Sequence, residues 1–199
     1  MRALVWCNGD PPSDTTLTGL VDGATIFGID GGADKASQSR YEVSEVLGDL
    51  DSISENWDGQ TTELADQSSS DLVKSLNLLA QRGFQEIDVV GCDGGSSSHQ
   101  LGNWAALCEV LAGPSIRLHH KDSITHRIHS EYRELKISKG TQFSVFALTS
   151  CSKVQIEGAQ WEIHNSELSL STKGLHNVSQ SDTVRIGADG ILAVMVDRT

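Results

Sequence analysis

The sequence predicts an α/β fold in which an N-terminal, mostly parallel α/β sheet domain is followed by a smaller antiparallel β domain. Three observations carry this. Short apolar runs alternate with helical patterns in the first half. The helical period disappears after about residue 130, and the segments beyond it are short, several of them alternating, and divided by Gly, Ser and Asn turns.

The elements follow in order. Ala3 to Cys7 and Thr25 to Ile29 read as buried strands, each closed by a turn, Asn8-Gly9-Asp10-Pro11 and Asp30-Gly31-Gly32. Leu72, Val73, Leu76, Leu79 and Ala80 share one helical face, with Ser70 as N-cap and Gly83 past the end. Ile87 to Val90 is the next strand. A second helix presents Leu101, Trp104, Ala105, Cys108 and Leu111 and closes at Gly113, and Ile116 to Leu118 is a further strand. This alternation implies βαβ crossovers. Beyond it, segments 134–137, 142–148, 154–157, 161–163, 168–170, 183–186 and 191–196 read as strands. The expected domains are 1–122 and 131–199, joined through the polar stretch His119 to Ser130.

Composition narrows the partners. The chain has 199 residues, 38% of them hydrophobic, and a formal net charge of −12, which repels phosphate backbones and anionic headgroups. Neither nucleic acid nor membrane is expected as a partner. No apolar run approaches the roughly 20 residues needed to cross a bilayer, and the run Met1 to Trp6 is too short for a signal peptide, so the expected compartment is cytoplasmic. Four cysteines, Cys7, Cys92, Cys108 and Cys151, lie far apart in or beside apolar segments and read as reduced core thiols. With this charge, an anionic substrate needs a local trap of backbone N–H groups or metal ions.

Open α/β sheets bind ligands outside the carboxyl ends of their strands, so the turns there are the places to search. Asp30-Gly31-Gly32-Ala33 follows one strand, and Gly48-Asp49-Leu50-Asp51-Ser52 follows the apolar Val46-Leu47. In an extended segment Asp49 and Asp51 present both carboxylates to one side. Asp71 opens a helix, and Gly94-Gly95 precedes another. Carboxylates together with phosphate oxygens suit Mg²⁺, and a helix start preceded by glycine suits an anion. Taken singly, each set also fits ordinary turn and helix-start chemistry.

In combination and order, these residues resemble the thiamine pyrophosphokinase family. Its motifs stand here as Asn8-Gly9; Asp30-Gly31-Gly32-Ala33-Asp34; Gly48-Asp49-Leu50-Asp51-Ser52; Gln67 with Ser70-Asp71-Leu72-Val73-Lys74; Gly94-Gly95-Ser96-Ser97-Ser98-His99; and Gly158-Ala159-Gln160-Trp161. The resemblance implies transfer of the pyrophosphoryl group of ATP to the hydroxyl of thiamine, with Mg²⁺ as cofactor and ATP as co-substrate. It implies metal-binding carboxylates at Asp49, Asp51 and Asp71, with Asp71 the candidate base, and a nucleotide site at Asp30, Gly31, Gly32, Ser70, Lys74, Gly94, Gly95, Ser96, Ser98 and His99. For thiamine it implies Gln67, Trp161 and Asn177, at a homodimer interface. The first domain then binds nucleotide and metal, and the second contributes to the thiamine site.

Two departures stand out. The family's GGRxDH has serine at positions 96 and 98 in place of arginine and aspartate, and a Ser-Asn turn that touches thiamine stands as His176-Asn177. They keep open a pyrophosphokinase for another heterocyclic alcohol, such as a hydroxymethyl-dihydropterin, and a non-catalytic thiamine- or nucleotide-binding homologue. Two further groups read as structural. His119, His120, His126 and His129 cluster in a solvated linker, the last pair spaced for one face of a helical turn, without the tight ligand organisation of a zinc site. Trp6, Trp57 and Trp104 read as packing residues.

Overall fold

The computed structural model describes residues 1–198, which divide into one unit, Met1–Lys121, and a second beginning at Asp122. The first unit contains β1 (Arg2–Trp6), α1 (Asp14–Leu17), β2 (Thr25–Ile29), α2 (Gly32–Gln38), β3 (Glu45–Gly48), β4 (Thr61–Glu63), α3 (Asp71–Gln81), β5 (Glu86–Val90), α4 (Ser97–Glu109) and β6 (Ser115–His119). Its strands run in the order β6-β5-β1-β2-β3-β4, and every neighbouring pair is parallel. The chain moves outward from β1 through β2, β3 and β4, then returns to the other side of β1 with β5. The order therefore reverses between β1 and β5, where a parallel sheet opens a crevice at its carboxyl edge.

Local chemistry explains the elements. Burial on both faces suits the short apolar runs of β1 and β2. Ser70 caps α3 by accepting the Val73 N–H at 3.4 Å, and the helix buries Leu72, Val73, Leu76 and Leu79 before ending at Arg82 and Gly83, the latter at φ 88°. The Asp30-Gly31-Gly32 turn leads directly into α2. A β-carbon at Gly28 would lie 2.5 Å from Ala33 Cβ, and one at Gly32 would lie 2.1 Å from the Trp6 carbonyl oxygen. Part of this glycine pattern is thus a packing requirement: α2 packs Ala33 and Ala36 in one cluster with Trp6 of β1 and Val46 of β3.

The second helix differs from its sequence reading in rotation. α4 buries Ala106 and Leu107, and Val110 follows, while Leu101 is 67% exposed and Leu111 51% exposed. Apolar residues occupy both stripes of this segment at helical spacing, so periodicity alone does not select the buried one.

The second unit contains β7 (Ser123–His129), β8 (Tyr132–Lys136), β9 (Gln142–Ala147), β10 (Cys151–Glu157), β11 (Ile163–Leu168), a 3₁₀ turn (Thr172–Gly174), β12 (Asn177–Val178), β13 (Thr183–Gly187) and β14 (Ile191–Asp197). Antiparallel pairs give the sets β12-β9-β14-β7 and β11-β10-β13-β8. Ile128, Phe143, Val145 and Val194 from one set and Val154, Ile156, Val184 and Ile186 from the other form a single core.

The polar stretch that reads as a linker is β7. His126 and His129 therefore point to opposite faces of a strand rather than sharing a helical turn. Trp161, expected in a strand, precedes β11. Among the described residues no helix is long and apolar enough to cross a membrane, and all four cysteines are free thiols.

Candidate functional site

The turns after β2 and β3 and the start of α3 bring three carboxylates together. One oxygen each from Asp30, Asp49 and Asp71 lies within 4.8 Å of the others. Asp30 takes φ 46°, and its Oδ1 accepts the Leu50 N–H at 3.0 Å, which ties the β2 turn to the β3 turn. Leu50 itself has φ 64°, so the Asp49-Leu50-Asp51 segment is not extended and the two-residue alternation expected there does not hold. The Asp49 carboxylate accepts the Asp51 N–H at 3.3 Å, while Asp51 accepts the Ser52 hydroxyl at 2.7 Å. In place of Asp51, the close group contains Asp30.

Like charges make the group expensive without a cation. Burial, followed by repulsion from Asp71, Asp49 and Asp51, pushes the Asp30 carboxyl up to about 6 against the opposing Leu50 hydrogen bond. An all-oxygen donor set under such mutual repulsion fits Mg²⁺. Lys74 pairs with Asp71 at 2.7 Å and also donates to the carbonyls of Leu64 at 2.6 Å and Asp66 at 2.7 Å, so it anchors this edge of the site. Ser70 is engaged as the α3 cap, and Gln67 is exposed in the preceding loop.

A cleft of ≈ 260 Å³ lies at the reversal point between β1 and β5, lined by Asn8, Gly9, Cys92, Gly94, Gly95 and His99 among others. Hydrogen bonds from Gly9 N–H to the Gly91 carbonyl at 2.8 Å and from Asp10 N–H to the Asp93 carbonyl at 2.7 Å zip the two turns together. Gly9 is required by this approach, since a β-carbon there would lie 2.2 Å from the Asp93 oxygen. Gly31 connects the cleft to the carboxylates, because its β-carbon would lie 2.7 Å from Asn8 Nδ2. Lys35, which the motifs do not single out, reaches from α2 to the carbonyls of Asn8 at 2.7 Å and Gly9 at 2.5 Å. Its signal in the sequence is the one cation of the short helix that follows Gly31.

Ser96 has a definite local role. It caps α4, accepting the His99 N–H at 3.3 Å, and its hydroxyl lies 2.8 Å from that of Ser98. The turn therefore offers an approaching anion neutral hydroxyls, glycine backbone and the helix start.

In the second unit Trp161 is 55% exposed. Its backbone is held by Asn177, whose Oδ1 accepts the Trp161 N–H at 3.1 Å and whose Nδ2 donates to the Trp161 carbonyl at 2.7 Å. Asn177 is buried, so its side chain serves as scaffold for the exposed indole.

Sequence reading misses Asp88, fully buried in β5. It faces Arg117 across the β5–β6 register and takes Arg117 Nε at 2.6 Å, His119 Nε2 at 2.7 Å and Arg2 Nε at 3.1 Å. Burial alone would push this carboxyl up, yet the hydrogen bonds from His119 and Arg117 hold it well below the usual carboxylate range. His119, expected in a solvated linker, belongs to this core cluster. The available signal was one carboxylate inside an apolar strand.

The family model for the thiamin pyrophosphokinase catalytic domain matches residues 20–119, just over half of the chain. No protein of curated function matches the sequence significantly. Among solved structures, the thiamine pyrophosphokinase of Bacillus subtilis aligns with a TM-score of 0.83 at 19% identity over 100% of both chains. The Candida albicans enzyme aligns at 0.79 and 13% identity, covering 100% of this chain and 89% of its own. The yeast enzyme aligns at 0.74 and 13% identity, covering 98% and 86%. At such identities these likenesses speak for the fold, and they bear out the expected α/β and antiparallel β organisation. With the family model matched across the turns that hold Asp30, Asp49, Asp71 and Gly94-Gly95, the chain belongs to the thiamin pyrophosphokinase family.

Proposed function

We propose that the protein transfers the β,γ-pyrophosphoryl group of Mg-ATP to the hydroxyl of thiamine, releasing AMP and thiamine diphosphate. The carrying observation is the group Asp30, Asp49 and Asp71, whose oxygens converge within 4.8 Å beside the turn that leads to the β1–β5 cleft. In this reading Asp30, Asp49 and Asp71 hold Mg²⁺, with Asp51 close enough for its charge to be felt at Asp30. Bound Mg²⁺ neutralises charge on the phosphates as the α–β bridge breaks.

The chain's own residues do the positioning. The Gly94-Gly95 turn and the start of α4 receive the polyphosphate with backbone N–H groups and the helix dipole. Lys74 keeps Asp71 in place, and Asp71 is the carboxylate assigned to take the acceptor's proton. The thiamine oxygen then bonds to the β-phosphorus, the bond from that phosphorus to the α–β bridging oxygen breaks, and AMP departs with the bridge. Trp161 offers a ring platform for thiamine, on a scaffold set by Asn177. The family resemblance further supports a homodimer and a cytoplasmic enzyme.

Isotope routing tests the reaction class. With ATP labelled separately at the α and γ phosphorus, the γ label should appear in thiamine diphosphate and the α label in AMP. A γ label in thiamine monophosphate, with ADP formed, would reject pyrophosphoryl transfer. The Ser96–Ser98 pair favours one second reading, a nucleotide-binding homologue without turnover, because the turn lacks a charged side chain at these positions. Saturable binding of Mg-ATP with both labels retained in ATP would select it.

A further inference from the structure

A second group of potential ligands lies apart from the three carboxylates and has different chemistry. The carboxyl ends of the parallel neighbours β5 and β6 bring Cys92 and Asp93 against His120. Cys92 Sγ lies 3.8 Å from His120 Nδ1, and Asp93 Oδ1 lies 2.6 Å from the same nitrogen. All three ligand atoms fall within 4.8 Å of one another. We propose that Cys92, Asp93 and His120 form a binding site for a borderline-soft divalent cation, with Zn²⁺ the best fit, separate from the hard-cation site at Asp30, Asp49 and Asp71.

Donor chemistry makes the assignment selective. Thiolate, imidazole and carboxylate together suit zinc or cobalt, whereas Mg²⁺ takes oxygen ligands. Zinc bonds of about 2.3 Å to sulfur and about 2.05 Å to nitrogen or oxygen place tetrahedral S and N ligands about 3.6 Å apart and N and O ligands about 3.3 Å apart. The Cys92–His120 separation already fits. The Asp93–His120 hydrogen bond has to open by roughly 0.7 Å, as the cation takes the place of its proton. Binding releases one proton to solvent, from the Cys92 thiol, while the imidazole proton that Nδ1 shared with Asp93 moves to Nε2, so that neutral His120 ligates through Nδ1.

The surroundings hold the ligands in place. The His120 ring stacks on Trp104 with centroids 5.1 Å apart and planes at 23°. Asp93 Oδ2 accepts the Lys121 N–H at 2.7 Å, and the Cys92 carbonyl accepts the Asn103 amide at 2.9 Å. Such outer contacts fix ligand orientation and affinity. Three protein ligands leave a fourth position for water, and Asp93 and His120 line a cleft of ≈ 290 Å³ that supplies an approach.

The test is a cobalt titration of chelator-treated full-length protein in saturating Mg²⁺, which occupies the carboxylate site. One equivalent of Co²⁺ should produce the visible bands of four-coordinate cobalt and a near-ultraviolet thiolate charge-transfer band, both removed by Zn²⁺. Cys92→Ser should abolish the charge-transfer band, and His120→Gln should weaken Co²⁺ binding by at least about tenfold. Asp71→Asn and Cys7→Ser should leave the spectrum intact. Absence of the band in the wild-type protein overturns the site even if a variant fails to fold. So does a band that survives Cys92→Ser or is lost in Cys7→Ser or Asp71→Asn.

Discussion

A β-carbon on Gly48 would lie 2.0 Å from Asp30 Oδ1, so the backbone at the end of β3 makes room for the carboxylate at the end of β2. Gly48 also has φ 148°, a conformation that disfavours a side chain. Gly48→Ala should therefore displace Asp30 and break its bond to the Leu50 N–H. Calorimetry should show Mg²⁺ affinity at least about tenfold lower, the equivalent of about 1.4 kcal/mol. Unchanged affinity in a folded variant would separate Asp30 from the cation site.

The raised Asp30 carboxyl gives Mg²⁺ binding a pH dependence. Its folded value of about 6 exceeds the ordinary 3.8, so the metal-free fold binds the extra proton and loses stability as pH rises from about 4 through 6. A cation competes with that proton. The melting-temperature rise on adding Mg²⁺ should be small at pH 5 and large at pH 7.5, and Asp30→Asn should flatten the difference. A larger rise at the lower pH would contradict the assignment.

Asp88 should behave as a structural acid. Its depressed value means that its contribution is present above the ordinary carboxylate value, near 4, and lost as pH falls through the folded value. Asp88→Asn removes the charge that Arg117 and His119 surround and should cost about 3–5 kcal/mol by urea unfolding at pH 7. The loss should shrink in acid. A cost below about 1 kcal/mol would show that the neighbouring cations are compensated elsewhere.

Trp161 and Asn177 should separate by phenotype. Trp161 is 55% exposed, so Trp161→Ala should change unfolding free energy by less than about 0.5 kcal/mol while weakening thiamine binding more than ATP binding. Asn177→Ala frees the Trp161 N–H and carbonyl and should destabilise by about 1–3 kcal/mol. A large stability loss in Trp161→Ala, with both ligands weakened equally, would make the indole a packing residue.

The parallel first unit was legible because β1 and β2 are short apolar runs and α3 carries both a cap and a stop signal. Periodicity placed α3 correctly yet chose the wrong face of α4, where two apolar stripes compete. It also missed β7, whose histidines, threonine and arginine look like linker composition. Around the candidate site, motif order singled out turns whose carboxylates the structure brings together. It substituted Asp51 for Asp30 in the close group because the positive φ of Leu50 has no signature in residue spacing. Asp88 and the Cys92–Asp93–His120 group depend on strand register and on loops distant in sequence, which local patterns do not encode.

The most direct measurement is product analysis of the purified protein with Mg-ATP and thiamine, by chromatography and mass spectrometry. The account predicts AMP and thiamine diphosphate in equal amounts, formed only with a divalent cation and lost in Asp49→Asn. Thiamine and Mg-ATP both bound, with neither product formed across a Mg²⁺ titration, would contradict it.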